Sequence, residues 1–163
     1  MKVNTNNHGF SLIELLTVIS VIAIIAAIGV PSLLAARRSA NEGSAQASLR
    51  TIHSAQATYL ATHGNGNFGS MNELLNARLV DPALGSNQKS GYNFIVTETD
   101  LVAGVSLARF KATANPIITA GASRSGTRKF GIRDDGVMHG QTDAIGTPLT
   151  DAELALTSNV LGN

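Results

Sequence analysis

The chain contains no cysteine. No disulfide can staple its loops, and no thiol can hold a metal or act as a nucleophile. That absence names no compartment; it says only that export would not depend on oxidative folding. Aromatic residues make up 4 % of the sequence, too few for a stacking ladder that binds single strands or carries electrons. Charge is scarce at 14 % and nearly balanced, with 12 Lys and Arg against 11 Asp and Glu. Nothing in that balance calls for nucleic acid or an anionic surface as partner. Internal repeats and low-complexity stretches are also missing. What remains is a chain of 163 residues, 44 % apolar. It is too apolar to be disordered and long enough for one ordinary domain with a core.

The apolar weight is concentrated near the start. Residues 1–9 form a short polar leader with Lys2, and Leu15 to Ala36 then carries no charge. About 22 helical residues span about 33 Å, enough for a bilayer core, and in lipid such a run must be a helix to satisfy its own backbone. Arg37 and Arg38 end it. Beyond them Ala45, Leu49, Ile52, Gln56, Tyr59 and His63 recur at spacings of three and four, the pattern of an amphipathic helix with a narrow apolar stripe. Only Pro31 and Gly43 interrupt the pattern, so one long helix is predicted over about Phe10 to Thr62.

After the Gly- and Asn-rich stretch His63 to Ser70, a short helix follows, with Ser70 and Glu73 spaced as a capping box and Pro82 closing it. The remainder reads as antiparallel sheet. Tyr92 to Thr97 and Val105 to Ala114 alternate, and Arg128 to Gly140 gives two strands around a tight Asp135-Gly136 turn. A last helical turn is predicted after Thr150, with Glu153 three residues on. The fold class is therefore α+β, one long N-terminal helix on a small antiparallel sheet. The organisation is 1–9 leader, 10–36 apolar segment, and 37–163 amphipathic helix half with sheet.

Glu14 is the residue out of place. A lone carboxylate in an apolar helix costs on the order of 2.5 kcal/mol or more at mid-bilayer and less near its edge. No Lys or Arg lies within one helical turn of it. A cut after Gly9 would place a new amine on Phe10 at the head of the helix, a cation for Glu14, most readily on a neighbouring chain.

These residues carry a resemblance. A basic leader, then Gly9, Phe10, Glu14 at the fifth place after the cut and an apolar run resemble type IV pilins and the pseudopilins of type II secretion. GFSLIEL is very close to that family's N-terminal signature, and Pro31 falls where the family often carries a helix-disrupting proline. The resemblance implies a pilin-like fold. It makes Gly9 the last leader residue, recognised by a prepilin peptidase, and Phe10 the N-methylated terminus. It makes Glu14 the counter-charge for the Phe10 amine of an adjacent subunit. It further implies that Gly29 and Pro31 loosen the helix, so that about Ile25 to Leu34 can melt on assembly. It implies a single-pass inner-membrane precursor, an assembly platform in that membrane, and a homopolymer that is an extracellular pilus or a periplasmic pseudopilus. A type IV pilus subunit is the first expectation and a pseudopilin the alternative. The family often closes its C-terminal region with a disulfide, which this chain cannot make. Some major pseudopilins use calcium there, and Asp134, Asp135 and Asp143 offer oxygens, but in no recognisable loop spacing. Arg37 and Arg38 run against the positive-inside rule if the head lies outside.

Other motifs are weaker. Arg124, Arg128, Lys129 and Arg133 cluster in sequence, and some pilins of DNA-uptake systems bind DNA through basic patches. A solvated charged strand is the plainer reading. GNGNFG at 64–69 matches a dinucleotide fingerprint in letters but follows a helix, not a strand. GASRSG at 121–126 misses a nucleophile elbow at Ser125 and reads as a flexible loop. His8, His53, His63 and His139 lack ligand spacing. No catalytic constellation emerges, so neither enzyme activity nor a cofactor is expected. A permanently anchored module that binds DNA or a surface ligand is the competing class, and conventional secretion with cleavage at Ala35-Ala36 a third.

Overall fold

A computed structural model describes residues 10–104, 106–142, 147–156 and 160–161. His8, Gly9, Val105 and Asp143, singled out above, lie outside the described residues. The chain forms two compact units, Met1–Ala35 and Ala36–Asn163. Helix α1, Leu12–Thr62, supplies the regular structure described in the first and the opening element of the second. Pro31 sits inside α1 without ending it. Its missing N–H leaves the Ala27 carbonyl without a helical donor.

The second unit is a helix-on-sheet head. Its strands are β1 (Gln88–Lys89), β2 (Tyr92–Thr99), β3 (Arg109–Pro116), β4 (Lys129–Arg133) and β5 (Met138–Gln141), antiparallel in that order. The layout is α+β and pilin-like. One side-chain parity of the sheet holds Phe94, Phe110, Ala112, Ala114, Phe130, Ile132 and Met138, and these share a core with Ala45, Leu49, Ile52 and Ala55 of α1. Small residues at the centre, Ala112 and Ala114, let the helix approach, while the aromatics fill the flanks. Gln56, wholly buried on the apolar stripe, is satisfied by both polar groups of Gly69. Its Nε2 donates to the Gly69 carbonyl, and its Oε1 accepts from the Gly69 N–H at 2.9 Å. That pair of bonds fastens the loop after α1 back onto the helix.

Helix α2 (Met71–Asn76) carries the predicted capping box between Ser70 and Glu73, but it stops well before Pro82. Arg78 adopts a left-handed backbone at φ 58°, and Asp81 then caps a separate short helix α3, Pro82–Gly85. Proline opens that helix instead of closing the previous one, because its missing N–H costs nothing in a first turn. Strand β3 begins at Arg109, later than the alternation in sequence implies, and Val102 and Ser106 pair in an isolated bridge of their own. The β4–β5 turn is wider than a two-residue hairpin. Gly136 alone has positive φ, its N–H donates to Arg133 O at 3.0 Å, and Asp135 Oδ1 accepts from Val137 N–H at 2.8 Å. The 121–126 stretch is pinned at its end. Ser125 and Gly126 are buried, and Ser125 Oγ accepts from Ile118 N–H at 3.1 Å.

Helix α4 (Asp151–Leu154) crosses the other face of the sheet. Thr150 and Glu153 form its capping box, and Leu149 and Leu154 are buried over Gly131, where a β-carbon would lie 2.7 Å from Leu154. Lys129 and Glu153 pair at 3.2 Å beneath it, and Lys111 and Asp151 at 3.0 Å beside it. This strap closes the C-terminal region by packing and charge, in a chain with no cysteine to do so.

The hydrogen bonds from Thr150, with help from Lys129, hold the Glu153 carboxyl down to about 2 from an ordinary 4.5. A depressed folded-state value stabilises the fold fully above the unfolded value and loses that contribution as pH falls. The stability difference between wild type and Glu153→Gln is therefore expected to be constant above pH 4.5 and to shrink towards zero as pH falls to about 2. Thermal melts of both chains across that range check it, and a pH-independent difference would show that the carboxylate's charge does not hold the strap.

Candidate assembly site

The first unit is a helix with nowhere to put its side chains. Leu12, Ile13, Ile28 and Leu33 are each more than 60 % exposed, and no residue of its most apolar 18-residue window, of mean hydropathy 2.6, is buried. Its few hydroxyls are satisfied internally. Thr17 Oγ1 donates to Ile13 O at 2.7 Å, and Ser20 Oγ to Leu16 O at 2.8 Å. Such a surface is stable only when lipid or other protein covers it, since each buried Leu or Ile is worth about 1.5–3 kcal/mol.

Glu14 breaks this surface in the first turn of α1, in a shallow groove with Phe10, Ile13, Thr17 and Val18. It has a partner in its own chain. The Ser11 N–H donates to Glu14 Oε2 at 2.9 Å. Ser11 and Glu14 have the same S-x-x-E spacing as Ser70 and Glu73, a signal for this bond that a count of nearby cations overlooks. The carboxylate thus lies over the positive end of the helix, within one residue of the Phe10 nitrogen. Phe10 itself is 72 % exposed. A β-carbon on Gly29 would meet nothing within 4 Å, so no contact within this chain requires glycine there.

Of the four basic residues named as a possible patch, Lys129 and Arg133 are set apart from Arg124 and Arg128. Arg124 is exposed at the Lys129 end of β4, and Arg128 lies over the Phe130 ring at 5.3 Å. Lys129 is buried, 5 % exposed, and paired with Glu153. Arg133 is at the far end of β4, 3.9 Å from Asp135. Asp134 pairs with Arg109 at 3.8 Å, and no cluster of three metal-ligating His, Asp or Glu occurs among the described residues. His53 packs on Phe110 and His63 stacks on Tyr59, both with ring centroids 5.8 Å apart, and His139 is buried on β5. The Gly64–Gly69 loop follows a helix and packs on Gln56 and Tyr59.

A family model described as the prokaryotic N-terminal methylation motif matches residues 4–30. No curated protein and no solved structure matches the chain.

Proposed function

We propose that this chain, a precursor that bears the type IV pilin and pseudopilin signal at residues 4–30, is a structural subunit of a type IV pilus. The observation that carries the reading is an apolar helix segment over residues 12–35, none of it buried and with Glu14 its one charge, within and just beyond the methylation motif. In the inner membrane, lipid covers that helix and the chain is a single-pass precursor. Cleavage after Gly9 by prepilin peptidase frees the Phe10 amine, which the same enzyme methylates while leaving its charge. The apolar helix then exchanges lipid for the helices of neighbouring copies at an assembly platform. A charge of either sign alone is expensive in that core; a Phe10 amine and a Glu14 carboxylate from different copies enter it as a pair. Ser11 N–H already donates to Glu14 Oε2, so the pair between chains forms on a carboxylate that also caps its own helix.

Mass spectrometry of the N-terminal peptide from the native protein tests this. The expected peptide begins at Phe10 with one added methyl, and Gly9→Val is expected to leave the precursor beginning at Met1. A wild-type peptide beginning at Met1 would leave an anchored module, and one beginning at Arg37 would mean conventional secretion. A pseudopilin is the second reading, favoured by the cysteine-free head. Mechanical shearing separates the two, since pilus subunits appear in the sheared fraction and pseudopilus subunits stay with the cell.

A further inference from the structure

The head has two unlike ends. At one end, β2 runs out at Thr99 and β3 starts at Arg109, and the connection exposes Leu101, Val102 and Leu107, the last at 74 %. Its root is fixed, because Leu101 N–H donates to Asn67 Oδ1 at 2.8 Å. Beside it stand Glu98 and Asp100, whose carboxylates have no ion pair among the described residues. At the other end, beyond Pro116, Ile117 and Ile118 are about half exposed; Arg124 is in the loop that returns to Ser125, whose N–H donates to Ile118 O at 2.9 Å, and Arg128 stands just before β4 with its guanidinium over Phe130, both in no ion pair among the described residues. Most other head carboxylates are engaged. Asp81, Asp134, Asp135, Asp151 and Glu153 pair with cations, Glu42 accepts from Thr127, and Glu73 from Ser70. The two ends are separated by the eight residues of β3, about 23 Å at strand rise.

Each end is thus an apolar knob, and the net charge beside it differs in sign: Glu98 and Asp100 with a paired Arg109–Asp134 at one, and Arg124 and Arg128 against the single carboxylate of Glu42 at the other. An anionic lipid surface would be repelled by Glu98 and Asp100, and self-docking of either end would oppose like charges. We propose that the ends dock head to tail between copies, Leu101, Val102 and Leu107 with Glu98 and Asp100 of one copy against Ile117, Ile118, Arg124 and Arg128 of the next. This rests on the subunit reading above. A contact between two different surfaces of one chain does not close on itself by two-fold symmetry and so propagates into an open polymer.

The absence of native cysteine gives a direct test. Ala103→Cys and Thr119→Cys place thiols on the two exposed loops, too far apart to bridge within one chain. The full-length double variant, oxidised in its native membranes and filaments, is expected to give a ladder of dimers, trimers and higher species, while each single variant stays monomeric. Asp100→Arg in that background is expected to lower the cross-linked fraction roughly two- to five-fold, and adding Arg124→Asp to restore it. A double variant that stays monomeric, single variants that form dimers as efficiently as the double, or a ladder insensitive to Asp100→Arg would each overturn the contact. The N-terminal peptide of the same sample separates the two claims. A start at Phe10 without a ladder removes the head contact and leaves the subunit reading standing; a start at Met1 without a ladder removes both.

Discussion

Glu14→Ala is expected to insert into the membrane and be processed normally, yet to lower polymer yield on the order of a hundred-fold. Two effects act in opposite directions. Removing the carboxylate takes a costly group out of an apolar surface, which favours residence in lipid. It also leaves the neighbour's Phe10 amine unpaired in the assembled core, and breaking one half of a buried pair costs about 3–5 kcal/mol. The second effect is larger and recurs at every subunit added. Glu14→Gln distinguishes charge from helix capping, because a neutral amide oxygen can still accept from Ser11 N–H, as Glu14 Oε2 does at 2.9 Å. Gln is expected to assemble as poorly as Ala. Quantifying sheared filaments and membrane-retained subunit for wild type, Ala and Gln checks this; assembly rescued by Gln would mean that the capping bond, not the charge, is what the polymer needs.

Gly126→Ala is expected to be a strongly damaging small substitution in the head. Tyr92 is fully buried, and its hydroxyl donates to the Arg128 carbonyl at 2.8 Å. A β-carbon on residue 126 would overlap that hydroxyl and lie 2.7 Å from Cζ. The ring has no free volume to retreat into, since Phe130 lies 6.0 Å away between centroids and the rest of the core surrounds it. Overpacking of this kind, with the tyrosine hydrogen bond lost, costs about 2–5 kcal/mol. For a chain of this size that lowers the melting temperature on the order of 10 °C. Gly43→Ala is the matched control. It sits inside α1 with open space around it and is expected to be neutral or stabilising by up to about 1 kcal/mol. Circular dichroism melts of the full chain in detergent compare the two, and equal melting of Gly126→Ala and wild type would contradict the packing of Tyr92 against the loop.

Local chemistry was legible where a pattern is complete within a few residues. The long helix, the Ser70–Glu73 and Thr150–Glu153 caps, and strands β2, β4 and β5 follow from periodicity and capping alone, because neighbours in sequence satisfy them. The end of α2 and the start of β3 lie elsewhere than the local pattern implies. Arg78 in a left-handed conformation and the Val102–Ser106 bridge answer to contacts that no local propensity encodes. Ser11 and Glu14 spell S-x-x-E, but the apolar run around Glu14 makes its charge the conspicuous property and its capping bond the hidden one.

The basic residues show the division most clearly. Arg124, Arg128, Lys129 and Arg133 are neighbours in sequence, and alternate residues of a strand face opposite ways while its ends lie far apart. Folding buries Lys129 under α4 against Glu153, leaves Arg133 beside Asp135, and sets Arg124 with Ile117 and Ile118 at the other end. The apolar helix, its single carboxylate and the signal ahead of it can be read from the order of residues alone, because those properties are one-dimensional: length, hydropathy and spacing along one chain. Which charges pair and which stay open to a partner is a property of the folded head, because pairing depends on distances between residues that the chain brings together from far apart.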